Sequence, residues 1–169
     1  VPENTLAGFE ACLALKVGCE IDVQRTADGH LVCLHDATLE RTTNGKGALA
    51  KVTLAELQQL DAGSWFHREF RGQRVPTFEA LLSSLSRDRA DQTLIAVDLK
   101  GDDPNIERDV ATAARSTSST ANPPPYAFTV RAPPGLSRRA IRTRPNDTGK
   151  SDSRCWSRET WASIRSLPL

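Results

Sequence analysis

The chain predicts an α/β fold, a layer or barrel of parallel strands with helices between them. Strand-like runs alternate with helical periodicities through the first 114 residues, the pattern of βα units. The carboxylates, a histidine and a lysine gather at the ends of those strands, where such folds place their chemistry.

Each element has a local reason. Asn4 and Thr5 can cap a helix, and Leu6, Phe9, Leu13 and Val17 recur along one face until Gly18 ends it. Cys19 to Gln24 alternates as a strand does, with Glu20, Asp22 and Gln24 on one side and Ile21 and Val23 on the other. Thr26 to Gly29 is a turn, with glycine free to take a positive φ. His30 to Leu34 is a second apolar strand that stops at His35 and Asp36. A polar loop follows, with Asn44-Gly45 as its turn signal. Thr53 and Glu56 have capping-box spacing. Gly63 to Arg74 is irregular and carries Trp65, Phe66 and Phe70. Pro76-Thr77 opens a helix from Phe78 to about Leu85, and Thr93 to Leu99 is a third strand. Asp103 caps a last helix, with Pro104 in its first turn, that runs to about Ala114.

The 169 residues are enough for one domain and a tail. Apolar residues make up 38%, charged residues 25%, and mean hydropathy is −0.42. That balance excludes a chain disordered throughout and a helical membrane protein. No secretory h-region opens the sequence. Methionine is absent, so Val1 reads as a processed end or, preferably, a truncation.

A net charge of +1 gives no bulk attraction to nucleic acid or anionic lipid, but it conceals a split. Residues 1–114 are net acidic and residues 115–169 net basic, and seven of the ten prolines lie in the latter. Residues 115–169 therefore read as an atypical Arg/Pro/Ser/Thr-rich tail, disordered or frame-shifted, with Ala127 to Val130 as a short strand at most. The cysteines at 12, 19, 33 and 155 have neither zinc-site spacing nor disulfide-scaffold density, and read as free thiols. Location is otherwise unmarked, with a weak lean to the cytoplasm.

Period-two geometry points Glu20 and Asp22 to one face. Two adjacent carboxylates repel unless a cation sits between them, and Mg²⁺ or Ca²⁺ suits such oxygens. Asp98 can complete the cage, and Lys100 can meet an anion such as phosphate. The bland alternatives are a solvated edge strand and a structural ion pair. His35 can exchange protons near neutral pH, or be merely structural. His30 and His67 receive no role. Trp65 and Phe66 can line a substrate mouth, with packing in the loop the simpler reading.

These residues lie in longer stretches that resemble the glycerophosphodiester phosphodiesterases. The stretches are Pro2-Glu-Asn-Thr5, Glu20-Ile-Asp22, Asp28-Gly29, His35-Asp-Ala-Thr-Leu-Glu-Arg-Thr-Thr-Asn-Gly45, Leu54-Ala-Glu-Leu57, Asp61-Ala-Gly63, Val75-Pro-Thr77 and Asp98-Leu-Lys100. They follow the family's order over about residues 1–110. The resemblance implies a TIM-barrel fold of the (β/α)8 type and metal-dependent hydrolysis of glycerophosphodiesters to glycerol 3-phosphate and an alcohol. It implies Glu20, Asp22 and Asp98 as ligands of a divalent cation, with Asp98 where the family usually has Glu. It implies His35 as one of two acid/base histidines and Lys100 as a residue near the substrate phosphate.

The family's first strand ends in His-Arg-Gly just upstream of the Pro-Glu-Asn-Thr stretch, which here begins one residue after Val1. A closed barrel needs at least about 200 residues. The expectation is therefore an incomplete barrel lacking its first and later strands, poorly stable and inactive by itself. The alternative is a non-catalytic metal-binding protein with a basic tether. A third reading is a lipid-directed phospholipase D on the same fold. A small glycerophosphodiester is the expected partner, without nucleic acid or a membrane span, and oligomeric state is not encoded legibly.

Overall fold

The computed structural model describes residues 1–87, 94–117 and 127–131. The elements run α1 (Leu6–Ala14), β1 (Cys19–Arg25), β2 (Leu31–Cys33), α2 (Leu54–Leu57), α3 (Phe78–Arg87), β3 (Leu94–Leu99), α4 (Ile106–Thr117) and β4 (Ala127–Arg131). The strands form one sheet in the order β2-β1-β3-β4. Strands β1, β3 and β4 are parallel, with Asp22 opposite Asp98 and Asp98 opposite Arg131.

Strand β2 departs from the all-parallel expectation. It runs antiparallel to β1, pairing Val23 with Cys33 and Arg25 with Leu31. The link of Thr26 to His30 is too short for a crossover, which takes a dozen or more residues. It closes instead as a hairpin around Gly29 at φ +90°, with Thr26 N donating to the His30 carbonyl at 3.0 Å.

Helix α1 also stops earlier than its apolar periodicity suggested. Thr5 is its N-cap and accepts from Gly8 N, while Leu15 is already the C-cap. Lys16 then takes φ +54°, a left-handed residue doing what Gly18 was expected to do. Leu15 and Val17 are left exposed. The capping box at Thr53 and Glu56 forms in full and starts the one-turn α2. Ahead of α4, the Asp103 carboxylate accepts from Asn105 N at 2.9 Å, so regular helix begins two residues after Pro104.

Alternation along the strands separates apolar from polar chemistry. Ile21, Val23, Ile95, Val97 and Leu99 pack with Phe78, Leu81, Leu82 and Leu85 of α3 and with Ile106, Val110 and Ala114 of α4. Phe9 of α1 joins the same core. Most of these side chains are at most 2% exposed. A second cluster of Val32, Leu34, Leu39, Leu49, Leu57, Ala62 and Val75 supports the long loop segment between β2 and α3. The opposite parity carries Glu20, Asp22 and Gln24 on β1 and, beside Leu94 and Ala96, Asp98 on β3.

Arg25 fastens β1 to α4 and to the turn before it. Its guanidinium pairs with Asp103 and, at 2.8 Å, with Asp109 of α4. Most of the segment expected as a basic tail lies outside the described residues; of it, residues 115–117 close α4 and residues 127–131 form β4. No helix among the described residues is long and apolar enough to cross a membrane. Cys12, Cys19 and Cys33 are free thiols. Burial holds Cys33 well above the usual thiol range and, with Cys12 nearby, raises Cys19 to about 11, so neither is a ready nucleophile. Cys155 lies outside the described residues.

Candidate active site

Three carboxylates meet where β1 and β3 lie side by side. Glu20, Asp22 and Asp98 each offer an oxygen within 4.8 Å of the others. The parallel register is what assembles them, since Asp22 and Asp98 are direct cross-strand partners. Glu20 is exposed and Asp22 is only 8% exposed, so the cluster opens outward from a buried base.

Lys100 follows β3 and turns back onto the cluster. Its Nζ is 3.0 Å from Asp22 Oδ1 and 2.9 Å from Asp98 Oδ2. Burial alone would lower the ammonium's pKa, but the contacts with Asp98 and Asp22 outweigh it and raise it. Its backbone N–H donates to the Val23 carbonyl at 2.9 Å, which fixes the turn after the strand. Three carboxylates and one ammonium leave a formal charge of −2. Hard oxygen donors with that balance fit a divalent cation.

Asn4 supports Asp22 from the start of the chain. Its Nδ2 donates to Asp22 Oδ2 at 2.8 Å, and its Oδ1 accepts from Asp22 N at 3.3 Å. Asn4 sits at φ +51°, a conformation asparagine tolerates better than most side chains.

His35 lies beside this cluster along the backbone. Leu34 N donates to the Asp22 carbonyl at 3.0 Å, and His35 is the next residue. Gln24, buried on β1, holds the turn that carries it. Its Nε2 lies 2.7 Å from the Leu34 carbonyl, 3.1 Å from that of His35 and 2.7 Å from that of Asp36. The His35 side chain is about half exposed, and its Nδ1 is 2.7 Å from Asp36 Oδ1. The Arg41 guanidinium, and then His35, hold the Asp36 carboxyl well below the usual carboxylate range.

The comparisons with known proteins fall on one family. The model of the glycerophosphoryl diester phosphodiesterase family matches residues 1–128. The chain belongs to that family.

Among its relatives, a glycerophosphodiester phosphodiesterase of Caldanaerobacter subterraneus is 53% identical over 78 residues, covering 46% of this chain and 32% of the relative. Mouse glycerophosphodiester phosphodiesterase 1 is 34% identical over 128 residues, covering 74% of this chain and 36% of the relative. The chain thus spans about a third of the length of these two relatives. Among solved structures, a glycerophosphodiester phosphodiesterase of Agrobacterium tumefaciens superposes with a TM-score of 0.62 at 34% identity, over 76% of this chain and 52% of that one. A phosphodiesterase of Oleispira antarctica, solved in complex with the product sn-glycerol-3-phosphate, gives 0.64 at 32% identity, over 78% and 52%. These neighbours are TIM-barrel enzymes, and the open sheet described here corresponds to part of such a barrel.

Glycerophosphoryl diester phosphodiesterases are hydrolases, and the stretches that carry the likeness also hold residues that reading for chemistry alone passes over. Asn4, Gln24, Asp36 and Arg41 contact the candidate groups or hold their backbone, yet none carried an individual signal. Gln24 shares the polar parity of Glu20 and Asp22, which was its one available clue. His30 is exposed and 3.8 Å from Asp28, and His67 caps a short turn through Glu69 N with its Nδ1 3.7 Å from Glu69 Oε2. Trp65 and Phe66 pack edge to face with a centroid separation of 5.8 Å, and Phe66 packs likewise on Phe70.

Proposed function

We propose that this chain carries the divalent-cation and phosphate half of a glycerophosphodiester hydrolase site. Its substrate class is a glycerophosphodiester, and its products are glycerol 3-phosphate and an alcohol. The observation that carries the reading is the convergence of Glu20, Asp22 and Asp98 within 4.8 Å, with Lys100 against two of them.

The division of labour follows from charge. A phosphodiester is already anionic, and attack on it adds charge to the non-bridging oxygens. Glu20, Asp22 and Asp98 would hold Mg²⁺ or Ca²⁺, which when bound offsets that charge and acidifies a hydroxyl group it contacts. Lys100 can present its ammonium to the phosphate from the same cluster. His35, tied through Nδ1 to Asp36, has Nε2 as the nitrogen left to exchange a proton with the reacting hydroxyl or the leaving alcohol.

A scheme with two proton-transfer groups needs a partner for His35. Among the described residues, His35 is the histidine beside the carboxylates. We therefore expect the 169-residue chain, taken alone, to turn over at least about a hundredfold below a two-histidine site. The test is ³¹P NMR of glycerophosphocholine incubated with the chain and Mg²⁺ or Ca²⁺. Slow, metal-dependent formation of glycerol 3-phosphate, faster with added imidazole and lost in Asp22→Asn and His35→Ala, is the expected result. No product together with no divalent-cation binding would overturn the reading of a hydrolase half-site. Metal binding without product would leave a non-catalytic metal-binding protein.

A further inference from the structure

Four charged or titratable side chains form a continuous chain over the surface beside the carboxylates. It runs Glu3, Arg41, Asp36, His35. Arg41 Nη1 and Nη2 meet Glu3 Oε2 and Oε1 at 2.8 and 2.6 Å. Arg41 Nε and Nη2 meet Asp36 Oδ2 and Oδ1 at 2.7 and 2.9 Å. Asp36 Oδ1 then meets His35 Nδ1 at 2.7 Å. One guanidinium thus holds two carboxylates, each through both of its oxygens, and the second of these orients the imidazole.

We propose that Arg41 is a positioning residue for His35: by locking the Asp36 carboxylate it fixes the imidazole with its proton on Nδ1 and leaves Nε2 as the working nitrogen. This rests on the reading of His35 as a proton-transfer group.

Two features favour positioning over simple stabilisation. The side chains are largely exposed, Arg41 at 45% and Glu3 at 40%, and ion pairs there add little to stability. The geometry is nevertheless the planar double fork that only arginine supplies, whereas a lysine carries its donors on a single atom and cannot grip both oxygens of two carboxylates at once. Asp36 by itself is a short side chain on an exposed turn, free to rotate. With both oxygens held, its carboxylate has one orientation to offer His35. The charged groups bonded to one another along the line are Glu3, Arg41 and Asp36, and Asp36 alone of them touches the ring.

The opposite end of the line ties into the metal side. Glu3 precedes Asn4, whose amide holds Asp22. One dipeptide therefore connects the orientation of His35 with that of a candidate metal ligand.

The experiment reads the tautomer directly. Long-range ¹H–¹⁵N correlation spectra of the ¹⁵N-labelled 169-residue chain report which ring nitrogen of each neutral histidine bears the proton. His35→Gln assigns the signal among three histidines. The expected result is a His35 held as the Nδ1–H form in the wild type, relaxing in Arg41→Gln toward the tautomer mixture of a free imidazole, whereas His67, whose Nδ1 accepts from Glu69 N, stays as the Nε2–H form in both. Arg41→Lys should fail to restore it, because charge without the fork is not enough. Arg68→Gln, an exposed arginine away from the line, should leave it unchanged. Should Arg41→Gln lose the dispersed amide spectrum of the fold, Glu3→Gln loosens the same clamp without touching Asp36 and gives the same reading.

A His35 signal identical in wild type, Arg41→Gln and Glu3→Gln would overturn the proposal, as would a wild-type His35 that already shows the mixed form. The measurement does not depend on turnover. A locked tautomer in a chain that neither hydrolyses the diester nor binds a divalent cation would leave Arg41 as a positioning residue and remove the hydrolase reading. Where turnover is measurable, Arg41→Gln should lower kcat by up to about a hundredfold with KM held, the signature of a misaimed group.

Discussion

Asn4 and Asp22 are joined twice, through an amide-to-carboxylate bond of 2.8 Å and a backbone-to-amide bond of 3.3 Å. The first pins the carboxylate and the second pins the strand that carries it. Asp22 is 8% exposed, so its oxygens cannot turn to water if Asn4 is lost. Asn4→Ala should cost about 1–3 kcal/mol of stability, because Asp22 Oδ2 loses its amide donor while Oδ1 keeps Lys100. It should also weaken divalent-cation binding. Urea unfolding and calorimetric metal titration check the two effects separately. Unchanged values in both would mean that Asn4 is only a turn residue.

Gly63 sets the path of the aromatic loop. A Cβ there would lie 1.9 Å from the Phe70 carbonyl oxygen, which is backbone and cannot step aside. Gly29 differs, with φ +90° and nothing within 4 Å of its would-be Cβ. Gly63→Ala should cost about 3 kcal/mol or more through steric overlap. Gly29→Ala should cost about 1–2 kcal/mol through backbone strain alone. Urea midpoints at constant slope test the ranking, and the reverse order would contradict it.

Acid should loosen the same loop. Burial alone would raise the Asp61 carboxyl's pKa, but backbone N–H groups of Ser64, Gly72 and Gly63 outweigh it and hold it well below the usual range. They lie 2.7, 2.6 and 2.9 Å from its oxygens. A carboxylate depressed in the folded state stabilises fully above its unfolded pKa, about 3.9, and that stability is lost as pH falls toward the folded value. Asp36 and Asp103 are shifted in the same direction. The melting temperature should therefore drop between about pH 5 and pH 2, and Asp61→Asn should flatten part of that drop while lowering stability at pH 7. A variant as steep in pH as the wild type would remove Asp61 from the explanation.

Local rules made much of this fold legible. The capping box at Thr53 and Glu56, the turn at Gly29 and the shared parity of Glu20 and Asp22 follow from spacings of two or three residues. The antiparallel β2 was also within reach, because five residues cannot carry a crossover. The general pattern of alternating strands and helices obscured it. Lys16, as the left-handed stop of α1, was hidden by a neighbouring glycine that looked better suited. The support around the candidate site is another matter. Arg41 and Glu3 lie 38 residues apart, and Asn4 and Asp22 lie 18 apart. Their pairing is a product of the finished sheet, and no local period announces it. Arg25 likewise finds Asp109 only once α4 has packed.

The central claim is that Glu20, Asp22 and Asp98 form a divalent-cation site. Isothermal titration of Mg²⁺ and Ca²⁺ into the 169-residue chain tests it most directly. We expect saturable binding of one ion, lost in the Asp22→Asn/Asp98→Asn double variant and retained in His35→Ala. A melting-temperature rise should accompany it, corresponding to about 2.7 kcal/mol at a hundredfold excess over Kd. No saturable binding in the wild type, or equal binding in the double variant, would contradict the claim.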